Sequence, residues 1–183
     1  LTLTGAQTND SLDLNGQTLT VMGNATTNPP LNLGESNDLV GTGNSRVVFI
    51  RPQGSTTQLD ALDYHHLQLT VDTTGGTAAA YRPQNAAIVT NGDLQLGQDT
   101  TYTTADAAAN TQQALTVNGA TTLDGALTAA GPVALTFGSG AGDTTTINAS
   151  GSLIAGAGGT VTATFARDVT VTGIMNLNGG NLV

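Results

Sequence analysis

Several residue types are absent or scarce in this chain of 183 residues, and each absence excludes a class of protein. Without cysteine there is no disulfide, no thiolate metal site and no iron–sulfur cluster. Lysine is also absent, which excludes Schiff-base chemistry. Four arginines oppose 13 acidic residues, for a net charge of −9, so the chain cannot present the basic patch that a nucleic-acid binder needs.

The residues that favour surface helices are also scarce. Glu35 is the single glutamate, and there are two methionines. The chain instead contains 33 threonines, 24 glycines and 15 asparagines, a mixture that favours strands and turns. No apolar run is long enough to span a membrane as a helix. The chain opens on Leu1 in mid-pattern, so we expect a mature, excised or partial piece.

Short runs of alternating apolar and polar residues are the main pattern that is present. Residues 46–51, 67–71 and 133–137 are examples, and pairs such as Asn15-Gly16 between the runs favour sharp turns. From residue 114 onward a glycine falls at every sixth position, at 119, 125 and 131. Strands of three or four residues between such closely spaced glycines suit the coils of a solenoid better than a hairpin sandwich.

The sequence therefore predicts an all-β protein, a right-handed parallel β-helix (β-solenoid) that forms a single domain over residues 1–183. At roughly 20 residues per turn, the chain would make about nine irregular rungs. The core would consist of Leu, Val, Ile and Ala ladders, with a few phenylalanines at wider rungs. Loop excursions are expected at residues 26–30, 37–45 and 105–113.

Four phrases carry a resemblance to a known class of protein: SLDLNGQTLTVMG (residues 11–23), YHHLQLT (64–70), ALTVNG (114–119) and TVTGIMNLNGGNLV (170–183). They resemble the repeats of bacterial surface β-solenoids, the filamentous-haemagglutinin and autotransporter-like adhesins and the large secreted repeat proteins. The resemblance implies an extracellular or cell-surface role, structural or adhesive, with no catalytic residues to carry over.

One segment combines acidic, aromatic and imidazole groups: Asp60, Asp63, Tyr64, His65 and His66. A functional interpretation makes the two aspartates paired carboxylates and a histidine a base or metal ligand. A structural interpretation packs Tyr64 at a rung corner and lets the histidines lead into the next strand. The segment supplies no nucleophile and no third ligand set, so the structural interpretation is favoured.

Other functions remain as alternatives to a purely structural role. Loops near Pro29-Pro30 and Asp60–His66 could form an adhesin module that binds a glycan or a host protein. Thr-x-Thr pairs such as Thr144/Thr146 and Thr170/Thr172 would bind ice if they stacked in register on one face. Polysaccharide-degrading enzymes also use β-helices, but they need grouped acids or a cationic base. Residues 138–143 are a faint and unrepeated version of a calcium-binding repeat, so a turn is favoured there.

The two ends of the chain consist of apolar, strand-like pieces. We expect Leu1, Leu3, Leu182 and Val183 to form edges on which identical subunits stack head to tail, or on which a longer rod continues. The sequence thus predicts an extracellular structural rod or filament whose partner is itself. It predicts no enzyme activity, no cofactor, no metal site, no nucleic-acid partner and no membrane span.

Overall fold

The structure is a computed structural model that describes residues 11–22, 29–33, 39–73, 75–156, 159–178 and 180–183. No helix occurs in these ranges. They form short strands: β1 (Leu12–Asp13), β2 (Thr18–Met22), β3 (Leu39–Val40), β4 (Arg46–Arg51), β5 (Thr56–Leu59), β6 (Asp63–Tyr64), β7 (His66–Val71), β8 (Ala79–Pro83), β9 (Ile88–Thr90), β10 (Leu94–Leu96), β11 (Thr100–Thr103), β12 (Leu115–Val117), β13 (Thr121–Leu123), β14 (Ala126–Ala130), β15 (Val133–Phe137), β16 (Thr145–Ile147), β17 (Ser152–Gly156), β18 (Val161–Phe165), β19 (Val169–Val171), β20 (Ile174–Asn176) and β21 (Asn181–Leu182).

The strands lie in three parallel sheets that the chain visits in rotation. Sheet I contains β2, β4, β7, β10, β13, β16 and β19 in spatial order. Sheet II contains β5, β8, β11, β14, β17 and β20, and sheet III contains β6, β9, β12, β15, β18 and β21. Strands β1 and β3 form a separate parallel pair. Each turn thus contributes one strand to each sheet, so the predicted all-β parallel solenoid is confirmed.

The number of turns is about six, and the prediction of nine was too high. The cause is the length of a turn, which varies with its corner loops. Val47 pairs with Leu67, Leu67 with Leu94, and Phe137 with Phe165, which are 20, 27 and 28 residues apart, so several turns take up more of the chain than 20 residues. The seven strands of sheet I span about 29 Å at the usual strand spacing.

The core consists of side chains that stack in register from turn to turn. One ladder on the inner face of sheet I joins Phe49, Leu69, Leu96, Leu123 and Ile147, each at most 1% exposed. Strand residues on either side of each ladder position point outward, as period-2 alternation requires. The rod therefore has an apolar interior and three polar outer faces.

The core also contains polar side chains that the sequence did not predict there. Tyr81 and Tyr102 pair in register on sheet II, and both are fully buried. The Tyr81 hydroxyl lies within hydrogen-bonding reach of the carbonyls of Phe49, at 3.0 Å, and Thr70. Burial raises the pKa of Tyr81 and keeps the phenol neutral. The Tyr81 ring fits the interior because the hydroxyl at its tip reaches carbonyl groups on a neighbouring sheet.

Arg51, at the end of β4, is a second unexpected core residue, and its side chain is fully buried. Its guanidinium carbon lies 6.0 Å from the centroid of the Phe49 ring. Burial lowers the pKa of Arg51, and the neighbouring Tyr81 opposes that shift.

The corners between strands confirm some of the predicted turn signals. Asn15 and Gly16 both adopt positive φ, 45° and 77°, as the Asn-Gly pair predicts. The predicted excursion at residues 105–113 forms a loop closed by an antiparallel bridge between Ala105 and Gln112. The predicted excursions at 26–30 and 37–45 lie partly outside the described residues. No helix in the described ranges is long and apolar enough to cross a membrane.

Candidate functional site

The predicted cluster from Asp60 to His66 spans a corner of the coil, and the structure points its side chains in different directions. Tyr64 faces the core of the rod and is fully buried. Asp63 alternates with it on the outer face of sheet III. His66 begins β7 and faces outward on sheet I, 17% exposed. The cluster is therefore contiguous in sequence but is not one group of converging side chains.

Tyr64 packs as a core residue. Its hydroxyl donates to the carbonyl oxygen of Asp60 at 3.0 Å, and its ring meets the Phe49 ring edge-on, with centroids 6.3 Å apart. Burial raises the pKa of Tyr64. Burial also raises the pKa of Asp60, against hydrogen bonds from the backbone N–H groups of Ala61 and Leu33. Tyr64 thus belongs to the inner wall of the corner, whereas Asp60 beside it is half-buried.

His66 is held by neighbours on both sides of its ring. Nδ1 accepts a hydrogen bond from the backbone N–H of Asp93 at 3.0 Å, and it lies 3.3 Å from the carboxylate Oδ2 of the same residue. Nε2 lies 3.2 Å from the carbonyl oxygen of Gly43. Since a carbonyl only accepts, the neutral ring carries its proton on Nε2. Both ring nitrogens are therefore occupied, and neither is offered to a ligand in this arrangement.

His65 contacts the ring of His66 edge-to-face, with centroids 4.6 Å apart. Two glycines make room for this pair of rings. A Cβ on Gly41 would lie 2.7 Å from the Cβ of His65, and a Cβ on Gly92 would lie 2.8 Å from ring atoms of His66. The histidines therefore occupy the corner that the small residues of neighbouring turns leave open.

A shallow groove of about 110 Å³ opens on the outer face of sheet I beside His66. It crosses β4, β7, β10 and β13, and it is lined by the side chains of Arg46, His66, Gln68, Asp93, Gln95 and Thr122. We call this surface the sheet I groove. Of its residues, the sequence had singled out His66 alone as a site candidate. Asp93 lies one turn further along the chain than His66, so the length of that turn was the signal that could have found it.

Threonine pairs do not form a two-column array on the described strands. Thr146 lies opposite Thr122 and Thr170, which gives one ladder of three hydroxyls on sheet I. Thr172, the second member of the pair Thr170/Thr172, lies opposite Asn148 of the preceding turn and not opposite a threonine. On sheet III, Thr136 likewise lies between Thr116 and Thr164 in single file. Stacking in register is thus limited to single columns.

The described residues contain no group of three His, Cys, Asp or Glu side chains that could hold a metal ion. The Asp143 carboxylate in the glycine-rich turn instead accepts hydrogen bonds from the backbone N–H groups of Ser139 and Gly140, at 3.2 and 2.6 Å. Arg167 supports the same turn through a hydrogen bond from Nε to the carbonyl of Gly140 at 3.0 Å.

The predicted stacking edges are described at one end of the chain. Leu182 and Val183 are 62% and 70% exposed. Leu1 and Leu3 lie outside the described residues.

Comparison with known proteins adds no relative from which to transfer a function. The chain matches no protein-family model, no curated protein and no solved structure. What the chain does must therefore be argued from its fold and its surfaces.

Proposed function

We propose that this chain is an extracellular structural protein, a β-solenoid rod on or outside a bacterial cell that assembles end to end with further copies. The support is of two kinds. The repeat phrases resemble those of bacterial surface solenoids, and the last coil presents an apolar edge of the kind on which another coil can stack. The proposal assigns the chain no catalytic activity and no cofactor.

The edge formed by β19, β20 and β21 is the observation that carries the proposal. Val169, Val171 and Leu182 continue inner ladders of the core, yet they are 37%, 42% and 62% exposed. Ile147, the partner of Val171 one turn earlier, is fully buried. Each of the three strands has a single hydrogen-bonded neighbour among the described strands. A further parallel coil would bury these side chains and pair the backbone groups of the edge.

The occupant of this edge is the first coil of a second copy, or the next coil where the rod continues in a longer parent chain. Among the described strands, the inner ladder of sheet I begins with the apolar Val21 on β2, which is 9% exposed. A coil that stacks in this way continues the core ladders with the same apolar chemistry, and a head-to-tail contact that does not close produces a filament.

The experiment is sedimentation velocity and negative-stain imaging over a range of protein concentrations. We expect the wild type to form rods longer than one chain, and Val171→Asp and Leu182→Asp to shift it to single chains, because a carboxylate at the edge resists burial. Thr170→Asp is the matched control, since Thr170 lies on the same strand with its side chain on the outer face.

A wild type that stays a single chain at high concentration would contradict the proposal, and so would equal loss of assembly in Thr170→Asp. Circular dichroism of each variant checks that the solenoid itself is intact. The extracellular location is tested separately, by antibody labelling of intact and lysed cells of the source organism. Labelling that appears only after lysis would overturn it.

A further inference from the structure

The sheet I groove has the chemistry of a binding site and lies away from the edge that carries the assembly proposal. Its residues come from four successive turns, so that side chains between 46 and 122 share one outer face. A volume of about 110 Å³ is well below the roughly 300 Å³ of pockets that enclose drug-sized ligands. It can hold the edge of one small polar ring, whereas the rest of a larger molecule would lie on the open sheet.

Arg46 supplies the groove with a cation that has no carboxylate partner in the described part of the chain. Its guanidinium donates to Oε1 of Gln68 at 3.5 Å, and no described carboxylate lies within 4.0 Å of it. A guanidinium has five N–H donors arranged in a plane that matches a carboxylate. Arg46 lines the groove and is partly exposed, and its side-chain hydrogen bond to Gln68 uses Nη1.

A column of neutral hydrogen-bonding side chains runs beside Arg46. Gln68 pairs in register with Gln95, and Gln95 with Thr122, so that their side chains repeat at about 4.8 Å along the rod. The side-chain amide of Gln95 and the side-chain hydroxyl of Thr122 make no hydrogen bond with the described residues. Amides and hydroxyls both donate and accept, which is what the hydroxyl groups of a sugar require.

Asp93 is the one acidic residue that lines the groove, and its side chain is 49% exposed. Oδ1 accepts the backbone N–H of Ala120 at 2.9 Å, and Oδ2 faces Nδ1 of His66 at 3.3 Å. His66 lies between Arg46 and Asp93 along the sheet, since Arg46 pairs in register with His66 and His66 contacts Asp93. The groove thus holds a cation at one end of this row and a partly exposed carboxylate at the other, beside the neutral column of Gln68, Gln95 and Thr122.

We propose that the sheet I groove binds an acidic sugar residue of a polysaccharide, with Arg46 holding its carboxylate and the column Gln68–Gln95–Thr122 holding its hydroxyl groups. The linear chain that carries this residue runs along the rod axis, because the column repeats in that direction. The site does not depend on end-to-end assembly, and each proposal can fail without the other.

The test is titration of the full wild-type chain with trigalacturonate at neutral pH, followed by calorimetry and by the side-chain amide signals of Gln68 and Gln95. We expect saturable binding that shifts both amide signals. Binding should weaken about tenfold or more for the neutral methyl ester of the same trisaccharide, for Arg46→Gln, and at raised salt. Arg167→Gln should bind like the wild type, because Arg167 supports the distant turn at Gly140.

Three results would overturn the proposal. The first is absence of saturable binding by the wild type at millimolar trisaccharide. The second is equal affinity in wild type and Arg46→Gln. The third is binding of acetate as tightly as trigalacturonate, which would make the groove a plain anion site. Gln95→Ala separates the sugar contacts from the charge, since it should weaken trigalacturonate binding and leave the weak binding of acetate unchanged.

Discussion

Asp106 organises the loop between β11 and β12 through a single carboxylate. Oδ1 accepts the backbone N–H groups of Ala109 and Thr111 at 2.8 and 3.4 Å, and Oδ2 accepts Nε2 of Gln113 at 2.7 Å. The hydrogen bonds from Ala109 and Gln113 lower the pKa of Asp106 below its ordinary value. The loop therefore depends on this side chain being ionised.

The lowered pKa predicts an acid-dependent part of the stability. A carboxyl whose pKa is lower in the folded chain stabilises the fold above its unfolded pKa, and that contribution is lost as the pH falls through the folded value, below about pH 4. Asp106→Asn can still accept from Ala109, but it presents an N–H group toward Gln113. We expect a lower melting temperature than wild type at neutral pH and a difference that shrinks toward about pH 3, measured by circular dichroism.

Asp168→Asn is the control for this experiment, because Asp168 is exposed directly before β19. It should change the melting temperature little. A difference between Asp106→Asn and wild type that is constant at every pH would show that the charge of Asp106 is not what stabilises the loop.

The sequence identified side chains with distinctive chemistry, such as Tyr64 and His66, but it did not identify the residues that they contact. The structural interpretation places Tyr64 at a corner, and alternation along β6 does bury it. The contact between His66 and Asp93 joins residues one turn apart, and only a known turn length would have revealed it. Arg46 enters the same groove from the preceding turn, where it pairs in register with His66, and it was missed for the same reason.

The ladders determine which strand positions tolerate change. Ile147 on β16 lies between Leu123 and Val171 in register, and it is fully buried. Its neighbour Thr146 points to the outer face, between Thr122 and Thr170. Adjacent residues of one strand thus differ in whether a truncation opens a cavity in the core.

We expect Ile147→Ala to lower the free energy of unfolding by about 2–5 kcal/mol, because it removes buried apolar atoms and leaves a cavity in a close-packed ladder. Thr146→Ala should change it by no more than about 0.5 kcal/mol. Urea denaturation followed by circular dichroism gives both values. Equal effects of the two substitutions would contradict the assignment of Ile147 to the inner face and Thr146 to the outer face of sheet I.

Strands were predictable from the sequence because alternation is a local signal. The run at residues 46–51 coincides with β4, and the run at 133–137 coincides with β15. Their pairing was not predictable in detail, since successive turns carry corner loops of different lengths. A count of nine rungs followed from roughly 20 residues per turn applied to the whole chain, whereas a turn such as that from Leu67 to Leu94 takes 27 residues. The glycine at every sixth residue from 119 to 131 marks short corners and does not represent the average turn.

At the scale of the molecule, the solenoid makes contacts mainly between successive turns, so each turn is stabilised mainly by the turns next to it. An internal turn is stacked on both sides, whereas the turn of β19, β20 and β21 has one described neighbour per strand. Five large apolar side chains of that turn are exposed: Val169, Val171, Ile174, Leu182 and Val183. Its backbone hydrogen bonds should therefore open more readily than those of internal turns, unless another coil covers it.

Amide hydrogen exchange measures this difference and links the edge to assembly. In the Val171→Asp variant, proposed to remain a single chain, β19–β21 should exchange quickly and β10–β12 slowly, because opening an internal turn disrupts two interfaces rather than one. In wild type at a concentration that favours rods, β19–β21 should become protected, while β10–β12 remain as they were. Thr170→Asp should behave as wild type does. Equal and slow exchange of both turns in single chains would show that the last turn is stable without a neighbour. The exposed apolar ladder would then no longer support end-to-end stacking.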